Sequence, residues 1–203
     1  MENAVLSHLT DSDATARRAV RISVSVEDMV QPRTRPESLG SETLTQPLSP
    51  RWVDRPAGYR DFESAFFVGR GRETFERCAE ELLHWEVKIR SGFDIAVDGG
   101  AGRVAAGQEP TIFVRLGPFR LPEPARVIEV IDTADRRGFT YGTKPGHPIT
   151  GEESFILVHN VDGRVFLVLR SVSRAGFGIW RLGEPFVRLA QIIYRRRYAR
   201  ALR

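Results

Sequence analysis

Strand-like runs and turns dominate this chain from Tyr59 to Ser173, and a long helical stripe follows them. That stripe, Phe186, Leu189, Ala190, Ile193 and Tyr194 in a segment from about Pro185 to Ala201, cannot bury itself. A sheet must cover it. Ahead of the helix, strands are predicted at Tyr59–Val68, Trp85–Arg90, Phe93–Val97, Thr111–Leu116, Ala125–Asp132, Gly138–Lys144, Glu152–His159 and Arg164–Ser173. Breaks at Asp98-Gly99-Gly100, Leu121-Pro122-Glu123-Pro124, Asp135-Arg136-Arg137-Gly138 and Val161-Asp162-Gly163 separate several of them. Phe75, Cys78, Ala79, Leu82 and Leu83 fall at helical spacing among charged residues, which predicts an early amphipathic helix over Arg72–His84. The order strand, helix, strands, helix predicts an α+β domain. A curved antiparallel sheet of about seven strands would wrap the C-terminal helix in a helix-grip, START-like architecture. A small closed β-barrel capped by helices is the alternative.

Residues 51–203 are expected to form this single domain. Residues 1–50 read as a disordered or weakly structured extension, because Gln31 to Pro50 is rich in Pro, Ser, Thr and charge with little to bury. Within it, Val20, Ile22, Val24 and Val26 alternate with polar residues as a short edge strand would, and Met29 offers a second translation start. Asp11 and Asp13 stand where a secretory signal needs apolar residues. The longest apolar runs are far shorter than the roughly 20 residues of a membrane-spanning helix. Cys78 is alone, so no internal disulfide is available, and a reducing cytoplasmic setting is the simpler expectation. It lies on the apolar face of its helix, which predicts packing rather than reactivity.

The net charge is +4, but 28 of the 30 basic residues are arginine, as the codons of a GC-rich genome would give. The excess is local: Arg174 to Arg203 holds eight arginines against Glu184. Positive charge at a helix C-terminus suits the dipole, so nucleic acid is not the expected partner.

Several stretches together resemble the DUF1990 (UPF0548) family, a domain of unknown function. They are Gly58-Tyr59-Arg60, Gly69-Arg70-Gly71, Phe75, Trp85, Arg126-Val127, the run from Gly138 to Phe155 with its His147-Pro148, Ser173-Arg174, and Gln191 to Leu202. The resemblance covers Gly58 to the end. It implies no activity, since none is established for the family. The long N-terminal arm and Ala175, where a proline commonly follows Ser-Arg, depart from its pattern.

Chemistry is most plausible at Tyr141 to Glu153, which sets glycines, two prolines, a histidine and two glutamates between strands. Alternation sends Glu153, Phe155 and Leu157 to one face and Glu152, Ser154 and Ile156 to the other. Candidate ligand contacts are therefore Tyr141, Thr143, His147, Glu152, Glu153 and Arg174. The catalytic candidates are His147 and Glu153, placed to exchange a proton. Alternatively, His147 caps a tight turn and the glutamates pair with Arg126, Arg170 or Arg174. The histidine spacing matches no metal motif, and no cofactor is expected. Gly69-Arg70-Gly71-Arg72 before the first helix is a helix-entry turn before it is a phosphate site. Three functions are in play: a binding protein for a small hydrophobic or amphipathic molecule, an acid/base enzyme of the cyclase, hydratase or hydrolase kind, and a basic protein that binds anionic partners. The sequence leaves the oligomeric state open.

Overall fold

The computed structural model describes residues 43–53, 56–100, 102–116, 118–175 and 184–203. The expected strand at 20–26 and the second start at Met29 lie outside them. The elements run β1 Arg60–Arg70, α1 Arg72–Leu83, α2 Glu86–Ile89, β2 Phe93–Ala96, β3 Thr111–Leu116, β4 Phe119–Asp132, β5 Arg136–Thr143, β6 Ile149–His159, β7 Arg164–Ala175 and α3 Glu184–Ala201. All strand pairs are antiparallel, in the order β1-β7-β6-β5-β4-β3-β2. The sheet is open, so the closed-barrel alternative is wrong: β1 and β2 stand at opposite ends of the order and do not pair.

Two segments differ from the sequence expectation. Leu121-Pro122-Glu123-Pro124 is no break but the middle of β4. The first half of that strand pairs with β3 and the second with β5. The Ala125 N–H donates to the Pro110 carbonyl on the β3 side, whereas the Pro124 carbonyl accepts from Lys144 on the β5 side. Pro122 and Pro124 thus turn their donor-less nitrogens away from β3, Pro124 at the very end of the pairing with β5 and Pro122 past it, where a strand tolerates proline. The second departure is Trp85–Arg90, which is helical. Trp85 takes a left-handed backbone (φ 65°) after α1, and the Lys88 and Ile89 N–H groups donate to its carbonyl. Burial decides this: Trp85, Val87 and Lys88 are enclosed while Ile89 is exposed, which no alternating strand achieves.

The expected stripe of α1 is fully buried, over β5 and β6. The inward alternation of β6 also holds. Phe155 and Leu157 join the main core with Phe139, Val127 and Tyr198, whereas Ile156 packs with Ile131 and Val168 on the other side. On α3 Tyr198 and Ala201 are buried and Tyr194 is half-buried against the core, whereas Ile193, expected in that stripe, is exposed. The side chains of Phe186 and Leu189 lie outside the described residues.

Residues 43–50 do not behave as a loose arm, so the expected boundary at residue 50 falls inside a packed segment. Residues 43–53 lie on the outer face of the sheet. The hydroxyls of buried Thr45 and Ser154 share a hydrogen bond (2.5 Å), and Trp52 Nε1 donates to the Leu44 carbonyl. Arg170, fully buried on β7, reaches Glu63 (2.8 Å) and the carbonyls of Gln46 (2.6 Å) and Ser49 (3.0 Å).

Candidate functional site

A cavity of about 290 Å³ lies between the inner face of the sheet and α3. Its walls come from α2 (Lys88), β4 (Leu121, Glu123), the β5–β6 loop (His147, Pro148), β6, β7 and the α3 residues Ala190, Tyr194 and Tyr198. At one end sits Lys88, whose side chain is 2% exposed. Its ammonium donates to Tyr141 Oη (2.5 Å), Tyr198 Oη (2.7 Å) and Glu153 Oε2 (2.9 Å). All three N–H donors are therefore used. The rings of Phe93 (4.7 Å) and Phe155 (5.1 Å) supply cation–π attraction, while the two tyrosines meet the ammonium through their hydroxyls. Helix α2 exists to deliver this group. Trp85, wedged edge-on against Phe139 (4.8 Å), fixes the turn that aims Lys88 inward.

Tyr141 also donates to Glu153. Burial alone would raise the Glu153 carboxyl, but the Lys88 charge and the hydrogen bonds from Tyr141 and Lys88 outweigh it and leave the group below its usual range. Both tyrosines are pushed well above theirs, by burial first and then by the nearby carboxylates. The cluster is a fixed ion pair with two neutral phenols.

A second pair faces the same space. His147 Nδ1 accepts the Ile149 N–H (3.1 Å), so the neutral ring carries its proton on Nε2. That Nε2 stands 3.9 Å from Glu123 Oε2, too far for a hydrogen bond. Burial, with the Lys88 charge adding to it, lowers His147 to about 4. Glu123 makes no hydrogen bond among the described residues, and burial raises its carboxyl to about 7. The Lys88 charge opposes this shift and the Glu153 charge adds to it.

The structure brings together Tyr141, Thr143, His147, Glu152 and Glu153 around the cavity. Their roles differ. Thr143 Oγ1 accepts the Gly151 N–H (3.0 Å) and so shapes the loop. A Cβ at Gly151 would strike the Val172 carbonyl, which explains glycine there. Glu152 borders the cavity, yet its carboxylate accepts the Leu44 N–H (2.7 Å). No hydrogen bond joins His147 to Glu153, since Lys88 and Tyr141 hold the carboxylate. Arg174 does not line the cavity: it is exposed and lies over the Tyr59 ring (5.0 Å).

The sequence reading missed Lys88 and Glu123. Both left signals. Lys88 is one of two lysines in a chain that otherwise uses arginine, and a site that needs a compact ammonium cannot accept a guanidinium. Glu123 shares the inward parity of Leu121, Ala125 and Val127, so one unbroken strand would have exposed it as a carboxyl on an apolar face. Cys78 is buried, and burial raises its thiol above the normal value, the opposite of an activated nucleophile. Among the described residues no His, Cys, Asp and Glu group could hold a metal, and no helix is long and apolar enough to cross a membrane. The Gly71 N–H donates to the Gly163 carbonyl (2.8 Å), which ties the Gly-Arg-Gly turn to the β6–β7 hairpin.

Comparison with known proteins places the chain. A UPF0548 protein of Deinococcus radiodurans is 44% identical over 77 residues, 38% of this chain and 39% of that protein's length. A UPF0548 protein of Arabidopsis thaliana is 29% identical over 141 residues, 66% of this chain and 67% of its own. The crystal structure of a hypothetical protein from Helicobacter pylori superposes with a TM-score of 0.54 at 12% identity, over 70% of this chain and 85% of that one. That last likeness is one of fold. The family model described as "domain of unknown function (DUF1990)" matches residues 43–201, beginning at the docked outer segment rather than at β1, and the chain belongs to that family.

Proposed function

We propose that the protein binds a small, largely apolar molecule in the cavity between sheet and α3, an arrangement of the helix-grip kind. The observation that carries this reading is the largely buried Glu123 carboxyl (side chain 18% exposed), which has no hydrogen-bond partner among the described residues and faces a cavity of about 290 Å³. A structural carboxylate would be paired. The volume lies near the lower end of the range of small-ligand sites, about 300–1,000 Å³. The C-terminal arginines support the ligand reading over the anionic-partner reading, because several are committed. Arg195 lies on the Phe62 ring (3.6 Å), Arg197 donates to the Ser91 carbonyl and Arg203 to that of Phe67. The test is native mass spectrometry of protein purified from its own host. A bound mass released on denaturation, and absent when Ala190→Trp fills the cavity, is expected. Bare chain in both forms would remove the proposal.

Glu123 also favours a second reading, acid/base catalysis, because a carboxyl near 7 can both give and take a proton at neutral pH. It would take the part expected of Glu153. The same spectra separate the two: a catalyst lacking its acid retains substrate, so Glu123→Gln would carry a bound mass different from that of the natural chain. A simple binder would carry the same one.

A further inference from the structure

Inside this pocket, the polar groups divide into those that are satisfied and those that are not. Lys88 has spent its three donors, and Tyr141 donates to Glu153. Among the described lining groups that make no hydrogen bond, His147 Nε2 and the Glu123 carboxyl stand 3.9 Å apart, in a cavity whose apolar walls include Val114, Leu121 and Ile149. That distance has a meaning. Two hydrogen bonds of about 2.8 Å, meeting at one oxygen at roughly 90°, close a gap of this width. The oxygen must accept from the Nε2–H, since Nδ1 is occupied by the Ile149 N–H. Toward an ionised Glu123 it must donate. A hydroxyl does both. An amine cation offers no lone pair to Nε2–H, and a carbonyl offers no proton to the ionised carboxylate; a carbonyl fits only the protonated form, so a reading at pH 8 separates it from a hydroxyl.

We infer that His147 and Glu123 clamp a single hydroxyl, so that the ligand is a hydrophobic alcohol or phenol. The inference rests on the pocket reading above and adds the ligand's chemical class. The titratable and charged groups that line the cavity with Glu123 and His147 are Lys88 from α2, Tyr141 from β5, Glu152 and Glu153 from β6, and Tyr194, Arg195 and Tyr198 from α3. Lys88 and Glu153 hold each other, and His147 Nε2 stands 3.9 Å from the Glu123 carboxylate. Because the Glu123 carboxyl sits at about 7, the preference for a hydroxyl strengthens as pH rises through neutrality. An apolar ligand would leave an ionised carboxylate unpaired, and that penalty is much smaller for the acid form.

The probes are 2-naphthol and its isostere 2-methylnaphthalene, titrated by NMR into the full chain with ¹⁵N-labelled histidine at pH 8 and pH 5.5. A merely greasy pocket prefers the hydrocarbon. The clamp predicts that naphthol binds about tenfold or more tightly than the hydrocarbon at pH 8, with the His147 Nε2 signal moving, and that the margin shrinks at pH 5.5. Glu123→Leu should abolish the margin while both probes still bind. Equal binding of the two probes at pH 8 overturns the clamp and leaves the pocket standing. A margin that survives Glu123→Leu overturns the role of Glu123. Binding of the hydrocarbon alone overturns the clamp, and failure of both probes to bind overturns the pocket reading and the clamp with it.

Discussion

The two faces of the sheet each bury a cation, and they use different ones. On the inner face, Lys88 stands in a tripod of two phenols and a carboxylate, boxed by four aromatic rings. On the outer face, Arg170 spreads a planar guanidinium over Glu63 and the carbonyls of residues 46, 49 and 50. A guanidinium has five donors in a plane and suits stitching a chain segment to a sheet. An ammonium is compact and leaves room beside it. Arg170 pins a docked segment onto its face, whereas Lys88 borders a cavity of about 290 Å³ on the other. The difference teaches that the inner face is built around a space, since packing alone would have filled it.

Removing Lys88 should give the largest effect. Lys88→Met strands the Glu153 carboxylate in the core, and losing one partner of a buried pair costs about 3–5 kcal/mol. Urea unfolding measures it. Arginine should not rescue the site, because its plane does not fit a three-point socket. Replacing both charges, in Lys88→Met with Glu153→Gln, should recover most of the loss. If Lys88→Met unfolds at the natural urea midpoint, the inner cation is no anchor and the contrast collapses.

The Glu123–His147 pair gives an effect of roughly 3 kcal/mol per group, but one hidden in the natural chain. Glu123 titrates near 4.5 when unfolded and about 7 when folded. Between those values the folded state holds a proton that the unfolded state has released, so stability falls as pH rises. His147 titrates near 6.5 unfolded and about 4 folded. There the unfolded state holds the extra proton, so stability rises with pH. The two slopes oppose one another from about pH 4.5 to 6.5 and nearly cancel. Glu123→Gln should therefore unmask a rise over that window, and His147→Asn a fall. Urea midpoints at half-unit pH steps read both. Parallel profiles for the two variants would mean that the groups are not desolvated and the inner face is wetter than its walls imply.

What the sequence revealed, and what it hid, follows the same division. The β5–β6 loop was legible because glycines, His147 and two glutamates stand between clean alternations, and alternation gave Glu153 its inward direction. Lys88 was not, since Trp85 to Arg90 satisfies a strand pattern locally. The left-handed turn at Trp85 that makes it helical depends on burial against Phe139, which is remote in sequence. Glu123 was hidden by its prolines, which break a central strand but not one with a free side. Residues 43–50 look unstructured by composition. Their partners, Ser154 and Arg170, lie more than 100 residues away.

The smallest effect should come from the outer face. Arg170→Lys keeps the charge and the reach to Glu63 but cannot serve the carbonyls of Gln46, Ser49 and Pro50 together. Leaving one or two carbonyls unmet costs about 1–3 kcal/mol, less than the loss at Lys88 because the carboxylate stays paired. The damage should also be local. Residues 43–53 would open before the sheet does, so limited proteolysis should cut there faster in Arg170→Lys, while 2-naphthol binds as before. An equal loss of ligand affinity would mean that the outer segment supports the pocket through Glu152, whose carboxylate accepts the Leu44 N–H and whose residue also borders the cavity. The two faces would then be one cooperative unit, and the outer segment would be part of the site.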